Sequence, residues 1–185
     1  TPRDLSSNVV EYLLYKNYIA KSVAVSNPSE YKKRDKERPR NDFLRSISIR
    51  LAKILINLCK AKEGEYLLDP FCGVGVLLQE ALLMNINVVG VELDPKVAND
   101  ALNNIRFIIK KNNLKSKYSV HNGNAANLDH ILSKGIIDCV ASEPYLGPYL
   151  KKIPDKETAL RIVSELSDLY LSFFRSLRNV LKRGG

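Results

Sequence analysis

The sequence predicts an α/β fold, a parallel β-sheet with helices on both faces. Two observations carry this. Short apolar runs at 66–68, 88–92, 118–121 and 136–141 alternate with longer stretches whose apolar residues recur at helical spacing. The first run also ends in Asp69-Pro70-Phe71-Cys72-Gly73-Val74-Gly75, and an apolar helical stretch over 76–84 comes directly after it. An acid, a proline and a Gly-x-Gly spacing between strand and helix make the tight turn at which open parallel sheets bind ligands.

From the N-terminus, residues 1–45 read as an extension with a basic segment, and residues 46–185 as the α/β domain. Asn8 and Glu11 resemble a capping box, with Val9, Tyr12, Leu13 and Ile19 near one face of a short helix. A brief strand over 22–26 is broken at Asn27-Pro28-Ser29. Between Tyr31 and Arg40, six Lys and Arg residues stand against Asp35 and Glu37. That run is either a solvated linker or an arm whose Lys33, Arg34, Arg38 and Arg40 contact phosphates while Tyr31 stacks on a base. An amphipathic helix over 46–62 carries Ile47, Leu51, Ile54, Leu55 and Leu58, and Glu63-Gly64 ends it. Asp94-Pro95 is an N-cap with a first-turn proline after it. Asn122 to Asn124 turn into a short helix near 126–132, and a long helix spans about 155–182. A parallel sheet that stopped at its fourth strand would leave an edge open, so further strands are expected after Gly185.

Composition narrows the function. A formal charge of +9 over 185 residues points to a polyanion such as RNA or DNA, with general solubility the plainer explanation. No apolar run approaches the roughly 20 residues of a membrane helix. Cys59, Cys72 and Cys139 have no metal-ligand spacing, which suggests reduced thiols, a cytoplasmic setting and no metal.

Three loops at the carboxyl ends of the strands carry the binding chemistry. Asp69 stands where a dinucleotide site would welcome pyrophosphate, and a carboxylate there suits a cationic ligand instead. Glu92 ends the second strand, 17 residues after Gly75, where it can take both hydroxyls of a ribose. Gly123-Asn124-Ala125 forms the third loop, and an Asn side chain has the donor and acceptor to read the amino edge of adenine. Leu78 occupies the place of the third glycine of a dinucleotide fingerprint, which argues against NAD. The reading is S-adenosylmethionine (SAM).

A fourth loop, Ser142-Glu143-Pro144-Tyr145, indicates the reaction. An exocyclic base amine is a poor nucleophile, because its lone pair is delocalised into the ring. It needs acceptors for its N–H groups and a flat wall that holds the base in line. Ser142 and backbone carbonyls supply acceptors, Pro144 fixes the turn and Tyr145 supplies the wall.

These three motifs, Asp69 to Gly75, Gly90-Val91-Glu92-Leu93-Asp94 and Ser142 to Tyr145, resemble those of the class I SAM-dependent methyltransferases, with their Rossmann-like fold. More narrowly, they are similar to the THUMP-associated tRNA guanosine-N2 methyltransferases, including those acting at position ten. The basic segment from Tyr31 to Pro39 resembles the one leading into that family's catalytic domain. The resemblance implies that Asp69, Phe71, Cys72, Gly73 and Gly75 form the cofactor loop. It places Glu92 on the ribose, Leu93, Asp94, Asn124 and Ala125 about the adenine, and Ser142, Glu143, Pro144 and Tyr145 around the target base. It implies tRNA or another structured RNA as partner, a THUMP domain before Thr1 and more sheet after Gly185. The family usually has Asp-Pro-Pro-Tyr at its last motif, so Ser142 loses a carboxylate and Glu143 replaces a proline. An adenine-N6 methyltransferase, or a nucleic-acid-binding module with a degenerate cofactor site, stays open on the sequence.

Overall fold

The computed structural model describes residues 11–23, 28–42 and 46–184. They fall into two units, Thr1–Glu37 and Arg38–Gly185.

In the first unit, β1 (Tyr12–Tyr15) and β2 (Tyr18–Lys21) form an antiparallel hairpin, with Tyr15 opposite Tyr18. This corrects the helix expected there. Tyr, Leu and Ile dominate both runs and favour a pleated surface. Lys16 takes a left-handed φ of 51° in the two-residue turn, the conformation hairpin turns require. Asn8 and most of the strand expected over 22–26 lie outside the described residues. Pro28, expected only as a breaker, is the first residue of α1 (Pro28–Glu37), a position where proline's missing N–H costs nothing. The basic run is therefore largely helical. Lys33 pairs with Glu37 at 4.0 Å, and the Arg34 guanidinium lies 5.1 Å from the centre of the Tyr31 ring.

The second unit opens with Arg38, only 7% exposed. That corrects its reading as a surface phosphate contact. Arg40 pairs with Asp100 at 3.3 Å. The helix expected over 46–62 is shorter: α2 (Ile49–Leu58) is capped by Ser48, whose hydroxyl accepts from the Leu51 N–H. Its buried stripe is Ile49, Ala52 and Ile56, while Leu51, Ile54 and Leu58 are exposed. Both stripes have helical spacing, and period alone could not tell which faces the core.

Four parallel strands come next: β3 (Tyr66–Asp69), β4 (Asn87–Glu92), β5 (Tyr118–Asn122) and β6 (Cys139–Val140), in the order β5-β4-β3-β6. The chain moves outward from β3 through β4 to β5, then returns to the other side of β3. That reversal creates a crevice at the carboxyl ends of β3 and β6. The strand expected over 136–141 pairs with β3 for only two residues. Ile137 instead bridges Leu181 on its other side, and the Asp138 carboxylate accepts from the Tyr66 N–H at 2.8 Å.

Helix α3 (Val76–Leu82) is buried at every position, including Gln79 and Glu80, so it shows no polar face. Gly90 of β4 lets it approach: a Cβ there would lie 2.6 Å from Leu78 Cδ1 and 2.9 Å from Cys72 Sγ. Helix α4 (Pro95–Asn112) starts as expected on Asp94, whose carboxylate accepts from the Lys96 and Val97 N–H groups. Its fully buried Asn104 donates to the carbonyls of Arg40 and Val74 and accepts from the Arg40 N–H, each at 2.9 Å. Beyond β5 come a 3-10 turn (Ala125–Asn127) and α5 (Leu128–Ile131).

The long α6 (Lys156–Val180) is capped by Asp155. Its Phe173, Leu177 and Val180 join Leu68, Val89, Val91, Ala125, Leu128 and Ile137 in one apolar cluster. Alternate strand residues Leu67 and Val88, equally buried, point to the opposite face of the sheet. Among the described residues, no helix is long and apolar enough to cross a membrane.

Candidate active site

The site is built where β3, β4, β5 and β6 end, and short hydrogen bonds tie the four loops together. Asp69, the last residue of β3, is 3% exposed. Its Oδ1 accepts from Ser142 Oγ at 2.6 Å and from the Phe71 N–H at 3.2 Å. The Ser142 bond joins the first loop to the fourth across the crevice. Burial pushes the Asp69 carboxyl up to about 7, with smaller upward contributions from Glu92 and Glu143, while the Ser142 and Phe71 hydrogen bonds hold it down.

Glu92 joins the first loop to the second. Its Oε2 accepts from the Gly73 N–H and its Oε1 from the Asp94 N–H, both at 3.0 Å. Each oxygen keeps a second lone pair, so the carboxylate can still receive ribose hydroxyls. The third loop is bound in turn to the second. The Gly123 N–H donates to the Glu92 carbonyl at 3.0 Å, and Asn122 Nδ2 donates to the carbonyls of Glu92 and Leu93.

The glycine turn is occupied internally. The Gly75 N–H donates to the Cys72 carbonyl at 2.8 Å, and Gly75 takes φ 81° as the left-handed residue before α3. The Gly73 N–H is thus spent on Glu92 and the Gly75 N–H on Cys72, so neither glycine donor is open to a phosphate. Three carboxylates, Asp69, Glu92 and Glu143, stand in or beside the crevice. Among the described residues, no Lys or Arg forms an ion pair with Asp69. A buried acid in such surroundings suits a cationic ligand and repels pyrophosphate. These acceptors therefore fit a ligand with a cationic group beside a ribose.

Cys72 and Asn124 have more constrained positions than the sequence suggested. The Cys72 side chain is buried under Gly90, where burial pushes its thiol well up, so its place in the loop is one of packing. Asn124 Oδ1 accepts from the Ala126 N–H at 2.9 Å and caps the 3-10 turn, which leaves the side-chain NH2 and one lone pair for a ligand. Leu93 is exposed beside the capping Asp94. Glu143, Pro144 and Tyr145 are exposed, with Tyr145 at 51%. Tyr31, Lys33 and Arg34 belong to the first unit.

Helix α6 contributes three residues that motif reading missed. Tyr170 donates its hydroxyl to the Tyr145 carbonyl at 2.5 Å. Phe173 meets Phe71 edge to face, with ring centres 5.6 Å apart. Ser176 Oγ accepts from the Leu128 N–H at 3.1 Å and donates to the Ala125 carbonyl at 3.3 Å. One rigid helix thus touches the fourth, first and third loops in turn. Their signal in the sequence is only a three-residue spacing on an otherwise apolar face, with nothing to name their partners.

Comparison with known proteins shows the family of this fold. Residues 38–185 match the family described as RMKL-like, methyltransferase domain. A tRNA (guanine(10)-N2)-dimethyltransferase of Methanocaldococcus jannaschii is 30% identical over 123 residues, 63% of this chain and 33% of that protein. The enzyme of the same name from Pyrococcus abyssi is 25% identical over 150 residues, 80% of this chain and 40% of that protein. The chain thus spans a third to two fifths of the length of these relatives. TrmN from Thermus thermophilus shares the fold, with a TM-score of 0.55 and 21% identity over 85% of this chain and 40% of its own. The chain belongs to the RMKL-like methyltransferase domain family.

Proposed function

We propose that this domain methylates the exocyclic N2 of a guanosine in a structured RNA, a tRNA in the first instance, in the cytoplasm. The observation that carries the reading is the Ser142 to Asp69 hydrogen bond, which puts a cofactor-facing acid and the target-base loop in direct contact. The names of the relatives, which specify guanine at position ten of tRNA, support the choice of base and substrate. The charge of +9 supports a polyanionic one.

When bound, SAM supplies an electrophilic methyl group on a sulfonium. The rest is the work of the chain. Asp69 holds the ammonium of the amino-acid end, and Glu92 holds the ribose hydroxyls. Asn124 and Ala125 meet the adenine edge, with Leu93 against the ring. Ser142 spends its proton on Asp69, so Oγ faces the target amine with lone pairs only. Together with the Glu143 and Pro144 carbonyls it accepts the amine N–H bonds, so that positive charge can develop on nitrogen. Tyr145 supplies the flat surface against a base drawn out of its stack.

The test is nucleoside mass spectrometry of tRNA incubated with the full-length protein and methyl-labelled SAM. Label is expected in N2-methylated guanosine. Label confined to N6-methyladenosine would move the target amine, and SAM binding without label in any nucleoside would leave a binding module.

A further inference from the structure

The loop between β6 and α6 continues well past the target-base motif, and its outer part is neither buried nor random. Residues 143–153 have no regular secondary structure. Tyr145, Leu146, Tyr149, Leu150 and Ile153 are all exposed, with Tyr149 at 85% and Ile153 at 97%. A segment this apolar, left in water, ordinarily serves a contact.

The base of the loop is firmly held. Tyr170 fixes the Tyr145 carbonyl. Gly147, at φ 105°, presses against α6, where a Cβ would lie 3.3 Å from Ile162 Cγ2 and 3.5 Å from Leu166 Cδ1. Pro144, Pro148 and Pro154 restrict the backbone along its length. The base of the loop is thus fixed against α6, which lowers the cost of ordering it on binding. Lys151 and Lys152 come soon after Tyr149, and both are exposed.

We infer that residues 145–152 form a docking platform for the single-stranded nucleotides that flank the methylated base. Tyr149 stacks on a neighbouring base and Lys151 and Lys152 contact its phosphates. The exposed ring beside two cations decides the class of partner. An acidic protein surface would satisfy the lysines but would not require an aromatic ring beside them, held out into solvent. Stacking rings interleaved with cations are the general solution for single-stranded nucleic acid. Because a base must leave its stack to reach Ser142, its neighbours are unstacked as well and present open faces. The inference rests on the proposed RNA substrate.

The experiment uses the full-length protein with Tyr149→Ala and with Lys151→Ala/Lys152→Ala. Methylation kinetics on tRNA, tRNA affinity across a salt series and SAM affinity are measured for each. All three positions are exposed, so folding should be unaffected, and SAM affinity should match wild type. Tyr149→Ala should raise the KM for tRNA roughly tenfold, the scale of one lost stacking contact, with kcat changing less. The double lysine variant should weaken tRNA binding and reduce the slope of log affinity against log salt by about 1.4, the value for two single-strand phosphate contacts. If wild type methylates tRNA but both variants match it in KM and salt slope, the platform is refuted and the proposed reaction survives. If wild type methylates no nucleic acid, both fall together. Loss of binding to a protein partner, with tRNA kinetics unchanged, would also refute the platform.

Discussion

Asp69→Asn offers a quantitative test of the electrostatics at the centre of the site. The wild-type carboxyl is raised from 3.8 to about 7, chiefly by burial. Each tenfold change in a proton equilibrium corresponds to about 1.4 kcal/mol. Well below the unfolded value the group is neutral in both the folded and unfolded chain and contributes nothing. As pH rises above that value, the unfolded chain ionises while the folded protein holds its proton. The sign is therefore unfavourable: stability is lost progressively up to about pH 7 and then levels off. Between pH 5 and pH 8 the expected loss from this group is about 2.5 kcal/mol. The Asn side chain keeps an oxygen for the Ser142 hydroxyl and does not titrate, so the variant should lack this slope. Urea unfolding of the cofactor-free protein at pH 5, 6, 7 and 8 measures it, because groups common to both proteins cancel in the difference. Parallel pH profiles for the two proteins would refute the buried, uncompensated acid. A cationic ligand adds a second arm, since its ammonium favours the ionised form. Wild-type SAM affinity should rise up to about tenfold per pH unit below 7 and level off above it until the ligand's own α-ammonium deprotonates at about pH 8, and calorimetry should detect proton release near pH 7. The Asn variant should bind SAM weakly and without that profile.

Two further substitutions test the supports of the site. Tyr170→Phe removes the hydrogen bond to the Tyr145 carbonyl and leaves the ring in place. Turnover should fall several-fold with SAM affinity unchanged, and an unchanged kcat would remove the positioning role. Gly90→Ala would put a methyl group within 2.6 Å of Leu78 and 2.9 Å of Cys72. Destabilisation of about 1–3 kcal/mol is expected in thermal or urea unfolding, and full stability with unaltered SAM affinity would show that the cofactor loop can shift freely over β4.

What the sequence disclosed depended on whether the signal was local. Asp94-Pro95 announces a helix start through its own side chain, and α4 begins there. Asp69, Glu92 and Asn124 end strands or begin turns, so their place in a parallel sheet comes from topology. Sequence and structure part where a local signal is ambiguous or absent. Residues 12–21 have apolar residues that fit either period, and only tertiary context selects the hairpin. In α2, two stripes compete, and the smaller one, with Ala52, faces the core. Arg38 sits in a basic run yet is buried, because charge density says nothing about which member of a run folds inward. The bonds from α6 to the loops span 25 residues for Tyr170 to Tyr145 and 51 for Ser176 to Ala125, and no short pattern records contacts at that range.

The Ser-Glu departure from the family's last motif has a physical consequence once Asp69 and Ser142 are seen as one unit. An aspartate in the place of Ser142 would set a second carboxylate against Asp69, and two such acids in a buried crevice would share a proton. A serine avoids that repulsion by donating. Its single proton lies on Asp69 at 2.6 Å when that acid is ionised, which leaves Oγ an acceptor toward the crevice. When Asp69 is protonated, the acid can itself donate, and Ser142 is released to turn its proton toward the base. An amine needs an acceptor, and the ionised state of Asp69 prepares the fourth loop best, because it fixes the Ser142 proton and leaves both Oγ lone pairs open. In the proposed reaction, an ammonium at Asp69 favours that state. Occupation of the cofactor crevice then sets the polarity of the target-base loop through one hydrogen bond. Ser142→Ala separates the two roles: it removes the acceptor and also a bond that lowers the Asp69 pKa. Turnover should fall at every pH, and the pH at which SAM affinity levels off should move upward. A fall in turnover with no such movement would show that Ser142 and Asp69 act independently.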